Sequence, residues 1–327
     1  MLEGAPSAAE LEEAQAVIAG QVPPTPAVAV PHLSAALGRE TWLKLECLSP
    51  IRSFKYRGGL CAVRAIKSSG AAGVVTVSTG NHGQGVAYAG RRLGVPVTVV
   101  APRFSEPGKL AAIRDLGGEV QLRGDTVTEA EAAAQEMAAA RDLLYLEDGE
   151  DRWLMAGAAT VLAELLEQAP PLDSVIVQVG GGNLVAASLL AARASGSQVQ
   201  VVGVQSTAAP GATLSWQEGR IHPAESHTIA GGIATERPGR LSLMVMKALL
   251  GSIVLVDDED LWRSVGTLLR TTGMAVEPSG SAGVAALERF GDDMGGERVG
   301  VILTGGWIGG SALARVAAQL ASGAEGG

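Results

Sequence analysis

Five short segments of the 327-residue chain hold residue types that suit anion binding and proton transfer. Four are Ser78-Thr-Gly-Asn-His-Gly-Gln-Gly85, Gly180-Gly-Gly-Asn183, Glu277-Pro-Ser-Gly280 and Thr304-Gly-Gly-Trp307. The fifth, Ser49-Pro-Ile-Arg-Ser-Phe-Lys-Tyr-Arg-Gly58, carries a lysine in a chain with five lysines against twenty arginines. A lysine amine can condense with a carbonyl to form an imine and then act as a base, which a guanidinium cannot. Both asparagines of the chain, Asn81 and Asn183, lie in these segments.

The elements that must position them follow from periodicity. Ser7-Ala-Ala-Glu10 reads as a capping box opening a helix through about Ile18, and Val22-Pro-Pro-Thr-Pro26 breaks it. Thr41–Glu46 alternates like a strand, and a helix is expected from Ser53 to Ser68. Strands at Gly73–Val77, Pro96–Val100 and Glu119–Leu122 then alternate with helices at His82–Leu93, Gly108–Leu116 and Thr126–Arg141. A second series has strands at Ser174–Val179, Val199–Val204, Ile253–Val256 and Val299–Leu303, each followed by a helical stretch. Such alternation with short connections predicts an α/β protein with two doubly wound, mostly parallel sheets. Four of the five segments fall at the C-terminal ends of predicted strands, the edge where open parallel sheets bind ligands.

Composition narrows the function. Apolar residues make up 47% of the chain, enough for a large core, and the length predicts two lobes. A net charge of −9 repels phosphate backbones, so nucleic acid is not expected as a partner. Cys47 and Cys61 form neither a metal-type spacing nor a disulfide framework. The acidic N-terminus lacks the basic start and apolar run of a secretory signal. No stretch approaches ~18 uninterrupted apolar residues, so no membrane span is expected and a reducing cytoplasm is the default location.

Ser-Phe-Lys-x-Arg-Gly (Ser53–Gly58), Ser-Thr-Gly-Asn-His-Gly-Gln-Gly, Val-Gly-Gly-Gly and the Thr304 segment, in this order and spacing, closely resemble the fold-type II (tryptophan synthase β-like) pyridoxal 5'-phosphate (PLP) enzymes. The match is best to their threonine/serine dehydratase branch and runs from about Thr25 to Gly310. The resemblance implies a discontinuous large PLP-binding domain, residues 1–68 and 148–327, and a small substrate-loop domain, 69–147. It makes Lys55 the Schiff-base lysine and proton carrier and packs Phe54 near the ring. Gly180, Gly181, Gly182 and Asn183 would cradle the cofactor phosphate at a helix start, where successive N–H groups and the helix dipole favour an anion. Asn81 would meet the ring 3'-oxygen, Thr304 the pyridine nitrogen, and Glu277 the ring; a capping carboxylate is the plainer role for Glu277. Ser53, Ser78, Thr79, Gly80, Asn81 and His82 would bind the substrate. His82 is given no proton transfer, since a lone histidine at a helix start serves as often for packing.

The implied reaction is β-elimination from a small hydroxy-amino acid, threonine or serine, to a 2-oxo acid and ammonia, with a homodimer as the implied assembly. Several departures bear on this. Gln205 and Gly211 stand where metal-binding members carry Glu and Asp, so no Mg²⁺ or Ca²⁺ site is expected. Thr79 stands near the position where racemases place a serine, which counts against racemisation. Ile51-Arg52 replaces Thr-Gly, Gly231 an acidic residue, and Trp307 an Asn. These leave open a larger or acidic substrate (hydroxyaspartate, phenylserine or a hydroxyectoine-derived compound), or β-replacement on the same fold. A dinucleotide-binding dehydrogenase is disfavoured because no Gly-x-Gly-x-x-Gly opens a helix with an acidic residue ~20 positions on.

Overall fold

The computed structural model describes residues 2–294 and 296–323. The chain opens with α1 (Ala8–Ala19), β1 (Ala27–Ala29), α2 (Pro31–Leu37), β2 (Glu40–Lys44) and α3 (Lys55–Ser69). It continues through β3 (Gly73–Val77), α4 (Asn81–Leu93), β4 (Val97–Ala101), α5 (Pro107–Asp115), β5 (Glu119–Leu122), α6 (Val127–Arg141) and β6 (Leu143–Leu146). Then come α7 (Arg152–Gln168), β7 (Ser174–Gln178), α8 (Asn183–Ala194), β8 (Gln200–Ser206), α9 (Gly211–Glu218) and α10 (Arg240–Leu249). The last are β9 (Ser252–Val256), α11 (Asp258–Thr272), α12 (Pro278–Phe290), β10 (Arg298–Ile302) and α13 (Gly310–Gly323).

Two compact units result. One comprises the chain up to Pro23 and Ser53–Thr160; the other comprises Pro24–Arg52 and the chain from Val161 on. The first holds a four-stranded parallel sheet in the order β5-β4-β3-β6. Strand β4 is buried along its whole length, the mark of a parallel strand covered on both faces. The second holds a six-stranded sheet in the order β1-β2-β10-β7-β8-β9, parallel except for the antiparallel pair β1 and β2. Its core gathers Leu43, Ile176, Val202, Val204, Val299 and Val301 from the strands with Leu261, Leu268, Ala282 and Ala285 from α11 and α12.

The expected capping box is present, with Ser7 and Glu10 bonding each other's backbone N–H. Elements outside the sequence reading include β1, α2, β6 and α7. A four-residue apolar run directly after a long helix has no period that separates it from that helix. Asp142, in the left-handed conformation at φ 54°, ends α6 and turns Leu143–Leu146 back to pair with β3. Strand β2 stops at Lys44 because Glu46–Leu48 coil into a short 3-10 turn. No helix among the described residues is long and apolar enough to cross a membrane.

Candidate active site

In the first unit, the loops after β3 and β6 leave the same edge of the sheet, since the two strands pair in parallel. Lys55 begins α3, directly after the buried Phe54, whose ring centroid lies 5.0 Å from Lys55 Nζ. Packing of α3 on α4 sets where that lysine stands. Gly59 and Gly85 face each other so closely that a β-carbon on Gly59 would collide with the Gly85 carbonyl. A β-carbon on Gly85 would lie 2.5 Å from the Lys55 carbonyl oxygen. Glycine at both positions lets the two backbones touch.

Lys55 Nζ donates to Asp148 Oδ2, with the lysine side chain 18% and the aspartate 31% exposed. Asp148 follows β6, a strand that sequence reasoning missed, and no motif marked it. The Ser78–His82 loop follows β3. Ser78 is buried and its Oγ accepts from Gly80 N–H at 3.0 Å, folding the loop back on itself before Asn81 opens α4. The side chain of Lys109, from the first turn of α5, lies across Gly80. This second cation beside the loop was also missed, for it is joined to the loop only through tertiary packing.

His82 is buried, with Nε2 2.9 Å from Thr76 Oγ1. The Thr76 hydroxyl donates its one proton to the Leu146 carbonyl at 2.7 Å, so it accepts from His82 Nε2–H. Burial drives the imidazole pKa down to about 4; the nearby Asp148 carboxylate opposes this and Lys55 reinforces it. The ring is therefore neutral at pH 7 and its bonded nitrogen is committed to packing the loop.

In the second unit, Gly180–Gly182 lie between β7 and α8. Gly182 is left-handed at φ 87°, and a β-carbon there would meet Met246 Sδ at 2.7 Å and Ser242 Cβ at 3.0 Å. Gly181 has no heavy atom within 4 Å of where its β-carbon would project. Helix α8 starts with no side-chain cap bond beside the open Gly181, and a helix start of this kind suits an anion. Asn183 takes the first helical position and is buried.

Thr304 follows β10, is only 6% exposed, and its hydroxyl has no protein partner among the described residues. Glu277 follows helix α11 and not a strand end as expected; it is buried at the N-cap of α12, yet its side chain makes no cap bond. Its carboxylate instead fills the space over Gly305, where a β-carbon would strike Oε1. The plainer capping role is thus not the one its geometry supports. Gln205 Oε1 accepts from both the backbone N–H (2.9 Å) and the hydroxyl (2.6 Å) of Thr213. Gly231 lies on an exposed turn. Burial pushes the Cys47 thiol up to about 11 and the Cys61 thiol to about 12, which leaves neither nucleophilic.

Taken unit by unit, the lysine amine with a carboxylate beside it in the first suits an aldehyde, and the second offers an uncapped glycine-lined helix start that suits a phosphate and a buried hydroxyl without a partner among the described residues. Comparison with known proteins agrees. Residues 18–305 match the family model described as pyridoxal-phosphate dependent enzyme. The L-threonine ammonia-lyase of Geobacter sulfurreducens is 37% identical over 280 residues, 85% of this chain and 69% of that protein. The L-threo-3-hydroxyaspartate ammonia-lyase of a Pseudomonas species is 34% identical, over 86% of this chain and 89% of its own length. Among solved structures, maize serine racemase superposes with a TM-score of 0.90 at 27% identity, covering 98% of this chain and 99% of that one. The chain belongs to the family of pyridoxal-phosphate dependent enzymes.

Proposed function

We infer that the protein is a PLP-dependent ammonia-lyase that converts a small L-hydroxy-amino acid, of the threonine or serine type, to a 2-oxo acid and ammonia. The placement of Lys55 carries this reading: its amine is held beside the Asp148 carboxylate in the unit that also presents the Ser78–His82 loop. When bound, PLP supplies an aldehyde that ties the substrate nitrogen and an electron-withdrawing ring that acidifies the substrate Cα–H.

The chain's own residues do the rest. Lys55 Nζ takes the Cα proton as general base, and Asp148 orients that nitrogen and holds its charge. The Ser78 and Thr79 hydroxyls and the Thr79 N–H, with Ser53 and Asn81, hold the substrate carboxylate or the ring 3'-oxygen, and Gly80, whose N–H is taken by Ser78 Oγ, lines the loop. Gly180–Gly182 and the first turn of α8 hold the phosphate. Phe54 and Glu277 border the ring. Thr304 would meet the ring nitrogen with a neutral hydroxyl, and a ring held so would supply a weaker electron sink than one paired with a carboxylate, which suits β-elimination. His82 packs the loop and moves no proton. The released enamine tautomerises and is hydrolysed: the water lost in elimination is regained, and ammonia is the net leaving group.

A cytoplasmic setting and a homodimer complete the proposal; the two inert buried thiols accord with a reducing compartment. Lys55→Ala tests it. The variant should lose both the imine absorbance of the PLP-loaded protein and 2-oxo acid release from threonine and serine. A variant that still released 2-oxo acid at the wild-type rate would overturn the assignment of Lys55.

A further inference from the structure

Two residues that depart from the family pattern, Arg52 and Trp307, are 255 positions apart and meet in the second unit. Strands β2 and β10 run parallel side by side, so the loops after them leave the same sheet edge. Those loops are stitched together. Cys47 N–H donates to the Leu303 carbonyl at 3.0 Å, and Gly306 N–H to the Arg52 carbonyl at 2.9 Å. Trp307 Nε1–H donates to the Ile51 carbonyl at 3.1 Å. The Arg52 guanidinium carbon stands 5.3 Å from the Trp307 ring centroid.

Two features make this more than packing. Arg52 is left-handed at φ 55°, a conformation that a β-carbon disfavours and that glycine adopts freely. Its exposed side chain also has no carboxylate partner among the described residues, although acidic residues outnumber basic ones by 34 to 25. Stacking on the indole orients the planar guanidinium and leaves its edge N–H groups to bind a carboxylate two-pronged. Along the chain, Arg52 comes three residues before Lys55, and Trp307 three residues after Thr304.

We propose that Arg52, oriented by Trp307, is a specificity-determining residue that binds a second, distal carboxylate, making β-hydroxy-α-amino dicarboxylic acids the favoured substrates. This rests on the ammonia-lyase reading, and the three-residue span of chain keeps Arg52 close to Lys55. In a chain of net charge −9, the second carboxylate of such a substrate needs a dedicated cation of this kind. The L-threo-3-hydroxyaspartate ammonia-lyase relative acts on an amino acid of this class.

The test uses the PLP-loaded enzyme and reads kcat/KM for 2-oxo acid release from L-threo-3-hydroxyaspartate and from L-serine. The wild type should favour hydroxyaspartate. Arg52→Gly suits the left-handed backbone, so it should fold while removing the guanidinium. The hydroxyaspartate-to-serine ratio should then fall about 10- to 100-fold, as for loss of a charge-assisted pair, mainly through KM. Arg52→Lys, which keeps the charge without the planar fork, should recover part of the ratio and serves if the glycine variant is unstable. A wild type that favours serine, or a ratio unchanged within about twofold in both variants, overturns the assignment of Arg52. A wild type that releases 2-oxo acid from neither substrate nor from threonine overturns the ammonia-lyase reading itself, and this inference with it.

Discussion

Gly85→Ala places a methyl group where α3 and α4 touch, and its effect can be worked out from the contact. The new carbon would lie 2.5 Å from the Lys55 carbonyl oxygen, 2.7 Å from its carbonyl carbon and 3.1 Å from its Cβ. Ordinary contact begins at 3.4 Å, so the helices must part by about 0.9 Å. Two of the three atoms are backbone, and no flexible side chain can swing aside. Overpacking of this kind costs roughly 3 kcal/mol, and the better helix propensity of alanine returns about 1 kcal/mol. The net loss of about 2 kcal/mol lowers Tm by roughly 4–8 °C in a domain of this size. The same shift displaces the Lys55 amine, and misplacement on the order of 1 Å costs about 100-fold in rate. Thermal melting and 2-oxo acid release measure the two effects. Gly266→Ala in α11 is the control: its nearest new neighbour is Leu320 Cδ2 at 3.5 Å. That variant should melt as high as the wild type or slightly higher. A Gly85→Ala protein with wild-type Tm and turnover would refute the claim that this close approach positions Lys55.

Two further outcomes follow from the titrating groups. The His82 pKa is about 4 in the folded protein against an ordinary 6.5, so the unfolded chain binds a proton there first as pH falls. Stability from the neutral ring is complete above pH 6.5 and is lost toward pH 4, by about 3 kcal/mol in all. Urea midpoints at pH 7.5 and pH 5 should therefore differ more for the wild type than for His82→Gln; parallel losses would show that the ring is not held neutral. Because burial raises both thiols, to about 11 and about 12, iodoacetamide at pH 8 should label neither cysteine in the native protein and both in urea. Rapid native labelling of either would contradict their burial.

Much of the molecule was legible before its fold was known. Hydrophobic period and the alternation of short β-rich runs with helical stretches marked eight strands of the two sheets to within about two residues. The glycine loop, the Ser78–His82 loop and Lys55 stood out because their chemistry is written in consecutive residues. Other features were invisible for physical reasons. Asp148 and Lys109 are ordinary charged residues until packing sets one against Lys55 and the other across Gly80. Strand β6 carries no periodic signal in four apolar residues and is defined by pairing with β3.

The order of residues along the chain thus determined the fold class, the cofactor chemistry and the loops that carry it, since each is a local pattern of hydrophobic period, glycine and one amine. Tertiary structure decided what long-range contact alone can decide. It made His82 a neutral packing group, gave Lys55 its carboxylate, turned Glu277 from a helix cap to the space over Gly305, and stacked Arg52 on Trp307. Protonation, orientation and pairing depend on neighbours brought together across tens to hundreds of residues, and a linear pattern does not record them.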